Sequence, residues 1–338
     1  MLLFWRGARG DSPFDIVMSE IFNPPFYLRS TVVQTLLAGS GLRKWGANPM
    51  LDAAQEVILN PLDDIRLQGF FSRQSNGRSK GLVMLLHGWE GSVNSAYILS
   101  AGRFLYNNGF SVFRLNYRDH GDTHHLNRGL FYAVLLDEVF NAVRQVSEYE
   151  KEIPFYLAGF SMGGNFALRI ARKCAESPID NLAHGVSVSP VLDPEKSTYA
   201  IDDVDLLRKY FRKKWQRSLM KKQACFPELY DFSDVLKLET IMEMTDLMLE
   251  RYSDYASASD YFSHYAVLND ALNAINVPTT IITAQDDPII PVEDFYDLKL
   301  NSQADLIIHR YGGHNGFLES LSGRAWYERK MLEIFRAE

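Results

Sequence analysis

Ser161 stands at the centre of Gly159-Phe160-Ser161-Met162-Gly163. The apolar run Phe155-Tyr156-Leu157 precedes it, and a stretch with apolar residues at helical spacing, Phe166–Lys173, follows. This arrangement predicts a strand that turns sharply into a helix, with the serine at the apex. Such a turn holds its residue in strained dihedrals and tolerates only small neighbours, which Gly159 and Gly163 supply. The hydroxyl then lies at a helix N-terminus, where unpaired N–H groups and the dipole favour negative charge. That is the chemistry of a nucleophile attacking an acyl carbonyl.

A serine nucleophile needs a base, the base needs a carboxylate to orient it, and the tetrahedral intermediate needs N–H donors. Of the 8 histidines, His309 and His314 follow a candidate acid loop. His309 lies inside an apolar strand pattern, so its ring is expected on a sheet face. His314, in Tyr311-Gly312-Gly313-His314-Asn315-Gly316-Phe317, comes after that strand, and the glycines let the loop turn the imidazole back. Asp286 and Asp287 both follow the preceding strand, where Pro288 and Pro291 stiffen the turn. The usual hydrolase spacing, with the acid four residues before the second proline, selects Asp287 and leaves Asp286 to cap or brace the loop. The chain order Ser, Asp, His is itself a known arrangement of such triads. For the oxyanion, one donor is the backbone N–H of Met162, the residue after the nucleophile. The second is expected from His87-Gly88-Trp89-Glu90-Gly91, with Trp89 as donor and His87 as a structural hydrogen-bonder.

These residues need a scaffold with one common edge. Glu56-Val-Ile-Leu and Ile65–Phe71 read as two antiparallel strands, and Gly81–Leu86 as a strand buried on both faces. Helix and strand patterns then alternate: helices over 97–107, 130–149 and 162–175, and strands over 110–117, 154–160 and 183–190. Strands over 278–284 and 304–311 and a closing helix over 326–335 complete the series. Alternation of this kind predicts a mostly parallel sheet with helices on both faces, with ligand sites beyond the carboxyl ends of its strands. The expected division is an arm over 1–55 with a short helix near Ser30–Leu37, a core of 56–191 and 270–338, and a helical cap insertion over 192–269.

Two stretches carry further chemistry. Val204, Leu207, Phe211, Trp215 and Leu219 recur at helical spacing among Arg208, Lys209, Arg212, Lys213, Lys214, Arg217, Lys221 and Lys222. This basic amphipathic helix reads either as a cap helix with solvated charges or as a surface for transient contact with anionic lipid or an anionic substrate. Arg118-Asp119-His120-Gly121-Asp122-Thr123-His124-His125 places five potential metal ligands close together, but their spacing matches no metal motif. It reads as a polar loop bracing the site, with no metal and no cofactor implied.

Composition narrows the class. The chain has 338 residues with 46% hydrophobic and 23% charged, the profile of an ordinary soluble globular protein. A net charge of −7 argues against a general nucleic-acid binder. The 2 cysteines form neither a disulfide framework nor a zinc pattern, so reduced thiols and a cytoplasmic location are expected. The apolar run at Met1–Trp5 is too short for a signal-peptide core or a membrane span.

From about residue 30 onward the chain resembles the YheT-like branch of the α/β-hydrolase superfamily. The resemblance rests on Val33-Gln34-Thr35, Leu86-His87-Gly88-Trp89-Glu90-Gly91-Ser92, Gly159–Asn165, Tyr255–Phe262, Asp286-Asp287-Pro288 and Gly312-Gly313-His314-Asn315-Gly316-Phe317. It implies an α/β-hydrolase fold and a serine hydrolase with Ser161, Asp287 and His314 as triad. Family members include esterases, lipases of glycerides or phospholipids, and alcohol acyltransferases. Two stretches depart from the family pattern: Trp89 replaces a commonly aliphatic residue, and Arg118–His125 differs from the bacterial pattern. The reading is therefore a hydrolase of carboxylic esters acting on a small-molecule ester or lipid. An alcohol acyltransferase and a non-catalytic, partner-binding member of the fold are the alternatives.

Overall fold

The computed structural model describes residues 3–5 as backbone, and residues 22–75 and 77–337 in full. The rest of the N-terminal stretch, on which the reading of an absent leader rests, lies outside the described residues.

The elements follow in chain order. The first part of the chain gives β1 (Leu3–Trp5), α1 (Thr31–Ala38), α2 (Pro49–Asp52), β2 (Ala54–Leu62) and β3 (Ile65–Ser72). Next come β4 (Leu82–Leu86), α3 (Ala96–Asn107), β5 (Ser111–Leu115), α4 (Leu136–Ser147), β6 (Phe155–Phe160), α5 (Met162–Lys173) and β7 (Leu182–Val188). The helices α6 (Pro194–Asp203), α7 (Asp205–Cys225), α8 (Ile241–Tyr252) and α9 (Ala258–Ser263) follow before the next strand. Then β8 (Thr279–Ala284), α10 (Glu293–Tyr296), β9 (Ala304–His309) and α11 (Trp326–Ala337) close the chain.

The strands form one nine-stranded sheet in the order β1-β9-β8-β7-β6-β4-β5-β3-β2. The run from β9 to β5 is parallel, and β1, β2 and β3 join antiparallel. This is the α/β-hydrolase architecture. Strands β4, β5 and β6 are buried at every position because helices cover both faces. After β4 the chain adds β5 on one side and then β6 on the other, so the strand order reverses beside β4. A crevice at the carboxyl ends of β4 and β6 follows from that reversal. Those ends carry His87-Gly88 and Ser161.

Two boundaries differ from the sequence reading. The arm adds an edge strand, β1, which three residues without a period-2 run could not announce. Helix α4 starts at Leu136, not Leu130. The backbone of the preceding turn is bound elsewhere: Phe131 N–H donates to Asp119, Ala133 N–H to Tyr261 Oη, and Arg169 donates to the Ala133 carbonyl. Groups held in this way cannot join a helical ladder.

Candidate active site

Ser161 links β6 to α5 with φ 56° and ψ −119°, a left-handed conformation that a non-glycine residue adopts only under constraint. The constraint is close packing. A Cβ on Gly159 would lie 2.0 Å from the Gly163 carbonyl oxygen, and one on Gly163 would lie 2.3 Å from that of Leu86. Only glycine at both places lets strand, turn and helix approach this closely. The turn therefore fixes the serine hydroxyl above the end of β4.

His314 reaches the serine from the loop after β9. Its Nε2 lies 3.0 Å from Ser161 Oγ. Its Nδ1 lies 2.9 Å from Asp287 Oδ2 and 3.2 Å from Oδ1. The Asp287 carboxylate is fully enclosed. Its Oδ1 also accepts the N–H groups of Ile289, at 2.9 Å, and Ile290, at 3.0 Å, which aim the other oxygen at the imidazole. Asp286 points away. It accepts from Thr31 Oγ1 at 3.0 Å and from Gly313 N–H at 2.9 Å, so it ties the arm to the histidine loop. Burial pushes its carboxyl up, while the Gly313 and Thr31 donors oppose that shift.

The loop after β4 faces the serine. A Cβ on Gly88 would lie 3.1 Å from Ser161 Cβ. Gly88 N–H donates to Tyr97 Oη at 2.9 Å, and Gly91 N–H returns to the Gly88 carbonyl at 3.0 Å, closing a tight turn. Glu90 sits in that turn at φ 52°. The N–H groups of Met162 and Trp89 meet no protein acceptor among the described residues. The Trp89 ring stacks on Phe211 at 5.7 Å and packs edge-on against Trp215, so helix α7 covers this loop.

The other histidines are placed elsewhere. His309 is enclosed in β9 with Trp326 edge-on at 4.2 Å, and burial lowers its pKa to about 3. His87 is buried with Nδ1 2.8 Å from the Gly88 carbonyl, and burial holds its pKa well below the usual range.

Three contacts of the site carried no sequence signal of their own. Thr35 Oγ1 accepts the His314 N–H at 3.0 Å, and Gln34 Oε1 accepts the Leu318 N–H at 2.8 Å. Lys214 Nζ of α7 donates to the Glu90 carbonyl at 2.8 Å. The recurrence of Val33-Gln34-Thr35 as a motif marks the first two positions without saying what they bind.

The loop after β5 is a brace. Lys222, buried in α7, donates to Asp119 Oδ1 at 2.8 Å and to the carbonyls of Asn127 and Gly129. Ser218 Oγ lies 2.8 Å from His124 Nε2, and Arg118 pairs with Glu138. Among the described residues no group of three or more His, Cys, Asp and Glu side chains is placed to hold a metal ion. Cys174 and Cys225 are both free thiols. Among the described residues no helix is long and apolar enough to cross a membrane.

The sequence itself matches a known family over most of the chain. The model of the family described as serine aminopeptidase, S33 covers residues 77–320. The chain belongs to that family. This α/β-hydrolase is 25% identical to the YheT protein of Escherichia coli, over 76% of this chain and 77% of that one. It is 24% identical to a monoacylglycerol lipase of Saccharomyces cerevisiae, over 77% of this chain and 60% of the lipase. Among solved structures, an esterase of Pyrococcus furiosus superposes with a TM-score of 0.55 at 19% identity, over 94% of this chain and 98% of that one. That last likeness shows the fold alone.

Proposed function

We propose that this hydrolase cleaves carboxylic esters through an acyl-enzyme on Ser161. The observation that carries the reading is the continuous relay from the Asp287 carboxylate through His314 to the serine hydroxyl, at 2.9 Å and 3.0 Å. In this scheme His314 Nε2 takes the hydroxyl proton as Ser161 Oγ attacks the carbonyl carbon. Asp287 holds the proton on Nδ1, which leaves Nε2 as the acceptor, and it stabilises the imidazolium that forms. The N–H groups of Met162 and Trp89 receive the oxyanion, and each such donor contributes on the order of 10²–10³ in turnover. His314 then protonates the leaving alcohol. A water deprotonated by the same imidazole releases the acid and restores the serine. No step needs a metal or a cofactor.

The likeness to a monoacylglycerol lipase supports an ester with an apolar acyl group. The aromatic surface of Trp89, Phe211 and Trp215 supports the same class. We also propose that residues 192–269 act as one cap over a core of 56–191 and 270–338, with the arm packed on the core. The test is hydrolysis of p-nitrophenyl esters of graded acyl length by the wild type and by Ser161→Ala, with fluorophosphonate labelling of both. Turnover and labelling lost only in the variant are expected, with a fall on the order of 10⁵-fold or more. Labelling without hydrolysis of any ester would keep the nucleophile and reject the substrate class. Product analysis with added alcohol separates hydrolysis from acyl transfer. No labelling and no turnover would favour the non-catalytic reading.

A further inference from the structure

The arm carries an unusual surface. Residues 22–51 contain no Asp or Glu, in a chain whose net charge is −7. Within this segment Phe26 is 81% exposed and Trp45 85% exposed, and Tyr27, Val32, Leu36 and Leu42 also lie open to solvent. Arg29 and Lys44 stand exposed among them, while Arg43 is buried against Glu328. The segment is nonetheless firmly seated. Gln34 is buried and donates to the Leu28 carbonyl at 2.8 Å, Thr31 and Thr35 bond the histidine loop, and Leu28 and Met50 are fully enclosed in the core. A rigid element that turns its apolar side chains outward does so against the cost of hydrating them.

We infer that the outer surface of the arm, which exposes Phe26 and Trp45, docks this protein on a lipid bilayer containing anionic headgroups. Exposed aromatic and aliphatic tips can enter the boundary between headgroups and acyl chains, where indole and phenyl rings are favoured. Arg29 and Lys44 add attraction to a negative surface, and the nearest exposed carboxylate along the described arm is Asp52 at the end of α2. The inner face of α1 holds the His314 loop, so docking would bring a lipid surface within about one helix diameter, roughly 10 Å, of that loop. This surface differs from the basic helix α7, two of whose lysines, Lys214 and Lys222, face inward on core loops. The proposal does not require the triad to be active, because docking is read without turnover.

The experiment is cosedimentation of the full chain with vesicles of phosphatidylcholine, with and without phosphatidylserine. The wild type is compared with Phe26→Ser/Trp45→Ser and with Lys213→Ser/Arg217→Ser on the exposed side of α7. The wild type should bind the mixed vesicles more tightly than the neutral ones. The arm variant should bind at least about tenfold more weakly, since each buried ring contributes that order of affinity. Its circular dichroism spectrum and melting temperature should stay unchanged, which excludes misfolding as the cause. Wild-type protein that stays in the supernatant overturns the proposal. So does an arm variant that binds as well as the wild type, or a loss seen only in the α7 variant. Sizing of the free proteins gives a further arm. A wild-type dimer that the arm substitutions dissociate would make a second copy of the chain the occupant, and the proposal would fall.

Discussion

Helices α7 and α1 both lie outside the sheet, and each bonds a loop that carries the candidate site. They do so with opposite chemistry. Helix α7 uses mainly ammonium groups, Lys214 on the Glu90 carbonyl, Lys222 on Asp119 and Lys221 on Asp122, with the Ser218 hydroxyl beside them on His124. Helix α1 uses neutral groups: Thr31 on Asp286, Thr35 on the His314 N–H, and Gln34 on Leu318. The helix with many cations thus turns Lys214 and Lys222 inward, and the helix with none presents an apolar face outward. Net charge along a segment therefore says little about which side of it meets a partner. The two braces should also fail differently. A buried charge left alone is costly and depends on pH, whereas a missing neutral hydrogen bond has a smaller, local effect.

The largest effect is expected at Lys222. In Lys222→Met, Asp119 keeps its buried place but loses its cation, a loss on the order of 3–5 kcal/mol. Burial already raises the Asp119 pKa from 3.8 to about 6, with Lys222 the chief group holding it down. Without the lysine the folded pKa rises further above the unfolded value. The sign follows from linkage: stability is retained at low pH, where Asp119 is protonated, and lost as pH rises through the folded pKa. Urea denaturation should show the variant much weaker than wild type at neutral to alkaline pH and closer to it near the carboxylate range. Adding Asp119→Asn should recover part of the loss. A penalty independent of pH would mean that packing, not charge, holds α7.

The neutral brace should show itself in rate before stability. Thr35→Val removes the acceptor of the His314 N–H and leaves a part-buried donor unmade, which costs about 1–3 kcal/mol locally. The imidazole then loses its fixed position relative to Ser161. A fall of about 10- to 100-fold in kcat with KM little changed is expected. Thr35→Ser should restore most of it, because the hydroxyl is the active part. An equal rise in KM, or no rescue by serine, would make Thr35 a packing residue and dissolve the parallel with α7.

How far these braces could be read in advance depended on range. The elbow around Ser161, the buried strands β4 to β6 and the loop position of His314 are local patterns of burial and glycine spacing, and they were legible. The placement of His309 inside β9 was legible for the same reason. The partner of Lys222 was not: periodicity puts the lysine on the apolar stripe, seven residues after Trp215 and eleven after Phe211, but Asp119, which meets it there, lies 103 residues away. The start of α4 was missed because Asp119 of the loop after β5, Arg169 of α5 and Tyr261 of α9 take the backbone of Phe131 and Ala133, which apolar periodicity cannot register. Strand β1 is too short to carry a pattern.

A pH effect of intermediate size is expected at Glu90, beneath α7. Burial raises its pKa from 4.5 to about 8, with Lys214 opposing the shift and Asp119 adding to it. Between those values the folded chain holds a proton that the unfolded chain has released. Stability therefore falls as pH rises through that window. Glu90→Gln should flatten this decline in thermal melts taken across the window. An identical slope in the variant would place the titration elsewhere, with Asp119 the next group to replace.

The smallest effect should come from the residue beside the largest. Lys221 pairs with Asp122 at 2.7 Å, but their side chains are 51% and 91% exposed. Both charges keep most of their hydration, so the pair gains little over separate solvated ions and is screened by salt. Lys221→Met should change stability by less than about 1 kcal/mol, with no dependence on pH near neutrality. Adjacent lysines on one helix would then differ several-fold in what their removal costs, solely because one ammonium has exchanged water for Asp119 and two carbonyls. A loss at Lys221 comparable to that at Lys222 would show that α7 is held by its overall charge, and the contrast with the neutral arm would reduce to cation count.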